Sequence, residues 1–402
     1  MLTSSKMFNF LKNSTENLLQ GPTHLRLQFW GLMLKNRRNL YNAMHLCAQI
    51  FVVTQYIELW IIRKDLELAM RNLSVTMLST VCVFKAGTFV GWQKSWTELI
   101  DYVSNLEKEQ LSKNDSDTKH IIAEYTKYSK RVTFSYMVLI SATVSLVILA
   151  PLFSFLSSSE YQAMIKNGSV PYPEIMSSWA PFDRSRGFGY WIVALEHTVI
   201  CFYGGSVVAN FDCNAVALMS FFAGQLRVLS NNCTRLFDDG NQVVGNDITT
   251  QRIKECHYHH LYLVKYSSVL NSLLSPVMFL YVIICSLMIC ASAIQLTTEG
   301  TGNMQRIWIA EYLLALIAQL FIYCWHSNEV LCMSDKVEDG VYSSCWWSQN
   351  VRMRRSLLLL GGQLRKSIEF TAGPFTKLNL ATFVAILKGS YSYFTLLDNK
   401  ED

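Results

Sequence analysis

Hydrophobic positions along the chain do not alternate at the strand period. They gather into long runs separated by polar, charge-bearing stretches. Seven runs stand out, over residues 42–62, 71–92, 133–156, 188–212, 269–294, 306–330 and 379–397. About 18 or more apolar residues is the length a helix needs to cross a bilayer, where the backbone must satisfy its own hydrogen bonds. The pattern therefore predicts an all-α membrane protein of seven transmembrane helices. They form a single domain over 1–402, with a polar segment 1–41 ahead of the first run and the last run, 379–397, close to the end. The fourth run is interrupted by "FYGGSVV" yet continues amphipathically toward Arg227, and the fifth contains Ser275-Pro276, where a kink is expected.

The polar stretches have helical patterning of their own. In "TELIDYVSNLEKEQL" (97–111), Leu99, Tyr102, Val103, Leu106 and Leu111 share a face, with acids and lysines opposite. "CHYHHLYLVKYSSVLNSLL" (256–274) leads at helical period into the fifth run, and the sixth continues through "HSNEVLCMSDKVEDG". The membrane helices are thus expected to extend past the bilayer into a cytoplasmic anchor bundle that includes 331–378.

Charge gives this bundle a direction. The chain is 51% hydrophobic and 16% charged, against about 25% charged for soluble domains. Lys6, Lys12, Arg26, Lys35, Arg37 and Arg38 crowd the N-terminal segment. Further Lys and Arg fill the loops after the second, fourth and sixth runs and are sparse in the others. Positive residues stay inside, so the N-terminus is expected in the cytoplasm and the C-terminus outside. The opening residues lack the apolar core of a cleavable signal peptide, so the first helix is expected to insert as its own signal. The 11 cysteines are odd in number and none falls in the outside loops 63–70, 157–187 and 295–305, so a disulfide-stapled exterior is not expected. Asn167-Gly168-Ser169 is a glycosylation sequon in the longest of those loops.

No enzyme motif stands up. Gly187-Phe188-Gly189 lacks a third glycine and follows no strand, and there is no P-loop or zinc-protease helix. Cys256, His257, His259 and His260 do not all share a helix face and read as solvated or packed side chains rather than metal ligands. No catalytic residue, metal, cofactor or nucleic-acid partner is expected. Arg352, Arg354 and Arg355 suit anionic lipid headgroups on the cytoplasmic side.

Ionisable residues inside the runs say more: Glu58, Lys85, Glu196, His197, Asp212, Glu311, His326, Glu329 and Lys388. Each costs roughly 2.5–3.5 kcal/mol at a helix centre, so such groups face protein or water. A secondary transporter could use them as a proton relay, but no pair of broken helices recurs in two halves. A G-protein-coupled receptor needs the opposite topology and a coupling motif after the third helix, where this chain reads "APLFSFLSSS". In the outer half, Met77, Leu149, Leu152, Phe153, Tyr190, Trp191, Trp308 and Tyr312, with His197, suit contact with a small apolar molecule; ordinary packing or an interfacial aromatic belt is the competing account of each. In the last run Lys388, Ser392 and Thr395 or Leu396 fall on one stripe, continued by Asn399. A polar stripe on a membrane helix needs water or protein opposite, and several copies around an axis can line a pore.

The C-terminal segment "RRSLLLLGGQLRKSIEFTAGPFTKLNLATFVAILKGSYSYFTLL" (354–397) resembles the ending of the insect odorant receptors, above all in "FTAGPFTKLNLATFVAILK" and "SYSYFTLL". It differs from the TY…QF ending of the gustatory receptors, which leaves a gustatory-type channel as the nearer alternative. It also lacks the larger loop between helices four and five that marks the coreceptor. The resemblance implies a ligand-tuning subunit that forms a heteromeric tetramer with the coreceptor. That assembly would be an odorant-gated, non-selective cation channel in the plasma membrane of olfactory sensory neurons. It further implies a small volatile ligand held among helices two, three, four and six in the outer half. The outer part of the seventh helix would line the pore, with Leu396 at the constriction, Ser392 below it and Asn399 near the mouth. Lys400 departs from what a cation pore favours at its outer mouth, and suits a channel in which the coreceptor supplies most of the pore.

Overall fold

The apolar runs become helices, and most of these helices are longer than the runs. The computed structural model describes residues 38–398 apart from 114, 158, 168–170, 183–186, 238–244 and 298–302. In chain order the helices are α1 (Arg38–Ile62), α2 (Leu66–Gly91), α3 (Gln93–Ser112), α4 (Ser116–Ser157), α5 (Ser159–Lys166) and α6 (Gly187–Thr234). They continue with α7 (Asn246–Thr297), α8 (Asn303–Asp335), α9 (Val337–Tyr342), α10 (Val351–Leu364) and α11 (Leu380–Asp398). Among the described residues, α1, α2, α4, α6, α7 and α8 are long and apolar enough to cross a membrane. The 19-residue α11 packs on α7 and α8 as the seventh helix of the bundle.

The extension beyond the bilayer follows from length. The 52 residues of α7 rise about 78 Å at about 1.5 Å per residue, against about 30 Å of hydrocarbon. Apolar residues keep their helical spacing through the polar stretch, and Leu263, Leu270, Leu273 and Leu274 are all in the core. On α3, Leu99 and Val103 of the expected face are buried with Trp96 and Ile100, while Tyr102 stacks on Tyr266 of α7 with ring centroids 3.8 Å apart. Helix α6 is enclosed on every side from Val207 to Leu226, so the stretch toward Arg227 is not the amphipathic continuation expected above. Its polar residues, Asn210, Asp212, Asn214, Ser220 and Gln225, are buried with the apolar ones. A helix with no exposed face belongs at the centre of its bundle, and α6 touches α2, α4, α7, α8 and α9.

Neither interruption breaks its helix: α6 continues through "FYGGSVV", and α7 runs on through Pro276. Proline has no N–H to donate to the preceding turn, and a short hairpin docks at this point. Strands β1 (Thr371–Ala372) and β2 (Thr376–Lys377) pair antiparallel, with Thr371 opposite Lys377 and Ala372 opposite Thr376. Thr371 N donates to Asn271 Oδ1 at 2.8 Å. Gly373 N donates to the Ser275 carbonyl at 3.1 Å and to its Oγ at 3.0 Å. Ser327 Oγ of α8 donates to the Leu378 carbonyl at 2.5 Å, and Asn379 Oδ1 accepts from Thr382 N to cap the start of α11. The "FTAGPFTKLN" segment is thus a clamp fixing the start of α11 to α7 and α8.

Candidate functional site

Two of the ionisable residues picked out above meet in the centre of the bundle. Lys85 Nζ of α2 lies 2.5 Å from Asp212 Oδ1 of α6, and both side chains are all but sealed from solvent. The Asp212 carboxylate also accepts from Tyr136 Oη of α4 (2.5 Å), Tyr323 Oη of α8 (2.6 Å) and Gln319 Nε2 of α8 (2.5 Å). The ammonium group sits 5.4 Å from the ring centroids of Phe211 and Tyr281 and 5.9 Å from that of Tyr323. A charge so far from water persists only when paired and hydrogen-bonded. This carboxylate ties four helices together, and the Tyr281 ring adds a fifth, α7.

A cavity of about 200 Å³ shares Gln319 with this network. Its walls come from α1 (Phe51), α2 (Leu78, Cys82), α4 (Val144), α6 (Cys201, Gly204, Gly205) and α8 (Tyr312, Leu316), and they contain no charged side chain. The glycine pair forms part of its wall. A Cβ on Gly205 would stand 2.3 Å from Val144 Cγ2, so only glycine lets α6 approach α4 here. The few polar groups on the wall are mostly engaged. Cys82 Sγ donates to the Gly204 carbonyl at 3.6 Å, Tyr203 Oη pairs with His45 Nδ1, and Thr143 Oγ1 donates to Glu311 Oε1 at 2.7 Å.

The segment 171–182 folds against this end of the bundle, with Met176 on the cavity wall. Trp179 N donates to the Thr54 carbonyl of α1 at 3.2 Å, and Ser178 Oγ lies 2.8 Å from His197 Nε2 of α6. Gln55 Nε2 approaches Met176 Sδ at 3.9 Å, and Tyr190 Oη donates to the Pro173 carbonyl at 3.2 Å.

Among the nine residues expected to touch a ligand, Tyr312 lines the cavity. His197 is fully buried but pins the covering segment, with Phe51 edge-on at 5.6 Å. Tyr190 supports the same segment, and its ring lies tilted against Tyr172 and edge-on to Trp191. Met77 packs against the core beside Leu78. Leu149, Leu152, Phe153 and Trp191 are exposed on the bundle's outer surface, and Trp308 meets Phe153 there with centroids 5.8 Å apart. The wall is built instead by small and sulfur-bearing residues, Cys82, Cys201, Gly204 and Gly205, which a pattern of large aromatic groups does not mark. The visible sign was the "GG" that interrupts the fourth run.

Helix α11 keeps Phe383, Ile386, Leu387 and Ser390 on its inner face, with Ser390 Oγ donating to the Ser286 carbonyl of α7 at 3.2 Å. Its other face leaves Ala381, Val384, Ala385, Lys388, Tyr391 and Ser392 exposed at helical spacing. Ser392 Oγ donates to the Lys388 carbonyl at 3.0 Å. Leu396 lies within α11, but its side chain is outside the described residues, as are Asn399 and Lys400.

The family model described as 7tm odorant receptor matches residues 65–391. The chain is 23% identical over 370 residues to Odorant receptor 10 of Aedes albopictus, covering 92% of this chain and 94% of that one. It is 25% identical over 363 residues to Odorant receptor 82a of Drosophila melanogaster, covering 89% and 92%. In fold it is similar to the insect olfactory receptor OR5 from Machilis hrabei in complex with eugenol. The TM-score is 0.79 at 17% identity, covering 94% of this chain and 97% of the other. A second structure of that receptor gives a TM-score of 0.75.

Proposed function

Because the chain belongs to the 7tm odorant receptor family, we propose that it is the odorant-binding subunit of a heteromeric, ligand-gated, non-selective cation channel. The observation that supports this best is the uncharged cavity beside the Asp212 network. A ligand there touches Gln319, whose amide also bonds the carboxylate joining α2, α4, α6 and α8. The similar fold of the Machilis receptor is seen with eugenol bound, and a small, neutral, largely apolar volatile is the matching ligand class here. The exposed stripe through Lys388 and Ser392 suits a helix facing a water-filled axis or neighbouring subunits in a tetramer with the coreceptor. The crowding of Lys and Arg supports a cytoplasmic N-terminus in the plasma membrane of an olfactory neuron.

Gating then requires the ligand to bind the open arrangement better than the closed one. Full switching between 1% and 99% open needs a preference of about 10⁴-fold, so partial opening suits a small volatile better. The test is whole-cell current from this chain expressed with and without an insect coreceptor, under a volatile panel and with G-protein signalling blocked. A fast cation current that needs both chains is expected. A response that survives without the coreceptor and vanishes under the block would make the chain a coupled receptor instead.

A further inference from the structure

Tyr312, Ala315, Leu316 and Gln319 recur at three- and four-residue steps on α8, so one helix face supplies a continuous wall of the cavity. At one end of that wall Gln319 is bonded to Asp212. At the other, the Tyr312 hydroxyl is buried with no hydrogen-bond partner among the described residues. A buried phenol left unbonded in an apolar cavity is costly, because it has given up water and received nothing in return. Thr143 and Tyr203, the other strong hydrogen-bonding side chains on the wall besides Ser79, are already engaged with Glu311 and His45.

We infer that Tyr312 is the polar anchor of this cavity, donating its phenolic proton to the single acceptor oxygen of an otherwise apolar, uncharged ligand such as a ketone, ester or ether. The inference rests on the cavity being the ligand site. Three features fix the ligand class. The wall has no charged side chain, and Lys85 and Asp212 beside it are paired with each other, so ammonium and carboxylate ligands have no counter-charge. The remaining surface is mostly carbon and sulfur, which rewards an apolar body. The volume of about 200 Å³ sets the size, since about 150 Å³ accommodates a benzene ring and this cavity scales to roughly eight non-hydrogen atoms.

The test compares 2-heptanone with 2-methyl-1-heptene, which has the same shape but replaces the acceptor oxygen by a methylene. Dose–response currents are recorded from the full chain expressed with a coreceptor, with surface expression measured for every variant. The native chain should respond to the ketone at about tenfold lower concentration than to the alkene, the size of one buried hydrogen bond. Tyr312→Phe should raise the half-maximal ketone concentration about tenfold and leave that of the alkene unchanged, while Ser79→Ala should preserve the preference. Equal sensitivity of the native chain to both probes, silence to both, or a Tyr312→Phe shift common to both overturns the inference. So does loss of the preference in Ser79→Ala. Leu78→Trp, which fills the cavity, separates this from the underlying reading. If that variant reaches the surface and keeps both responses, the cavity is not the ligand site and the proposed function fails at that point.

Discussion

At the scale of single residues, Asp212 is the group on which most depends. Its two oxygens take four donors from three other helices, and Lys85 supplies the charge that makes an ionised carboxylate tolerable there. Removing one partner of a buried pair leaves the other charge uncompensated and costs about 3–5 kcal/mol, a large fraction of a typical fold's stability. Lys85→Met should therefore abolish surface expression. Lys85→Met combined with Asp212→Leu removes both charges and should recover part of it, although Tyr136, Tyr323 and Gln319 then lose their acceptor. Flow cytometry of a tagged extracellular epitope measures both. Equal expression of Lys85→Met and the native chain would mean that the pair is not what holds these helices. The sequence marked each residue as unusual in a membrane but could not join them, because they stand 127 positions apart and pair only once α2 crosses α6. The same limit hid the cavity. Nothing along the chain says that Phe51 of α1 and Cys201 of α6 face the same space.

At the scale of elements, run length was the readable quantity. The helical spans, the extension of α7 and α8 beyond them and the amphipathic α3 were all visible as periodicity, because these contacts are made by residues three and four apart. The fate of the interruptions was not, since it depends on neighbours. In α6 the space over Gly205 is filled by Val144 of α4 and Gly204 faces Cys82 of α2, and the Ser275-Pro276 site in α7 is occupied by the hairpin. That hairpin gives an element-scale prediction. Gly373 holds φ +66°, and a Cβ there would come within 2.6 Å of Phe279. A left-handed conformation alone costs a non-glycine residue about 1–2 kcal/mol, and the clash adds to it. Gly373→Ala should loosen the attachment of α11 to α7 and lower ligand-evoked current more than surface expression. Adding Phe279→Ala relieves the clash but not the backbone strain, so current should return only in part. Full current in the single variant would show that the turn does not set the position of α11.

At the scale of the whole molecule, the isolated subunit leaves apolar surface that its own fold does not use. On α10, Leu358 and Leu359 are each 77% exposed, next to Val351 and among Arg352, Arg354 and Arg355, while Met353, Leu357, Leu360 and Leu364 of the same helix face inward. The inward set is sufficient to hold α10 in place, so the outward leucines contribute little to the subunit's stability. Adjacent apolar residues held outward on a helix that is not one of the candidate membrane spans suit contact with another chain. If the subunits join through this anchor, replacing both leucines by glutamate buries two carboxylates at the interface, and each is costly without a partner. Leu358→Glu with Leu359→Glu should leave the chain folded, with its thermal stability in detergent within about 0.5 kcal/mol of native, as for exposed positions generally. It should also abolish co-purification with the coreceptor and, with it, the odorant current. The arginines beside the leucines sharpen the comparison. Arg352→Gln with Arg355→Gln should weaken lipid contact but preserve co-purification. Full assembly of the leucine variant would place the subunit contact elsewhere and leave the α11 stripe, with Lys388 and Ser392, as the face through which the chains meet.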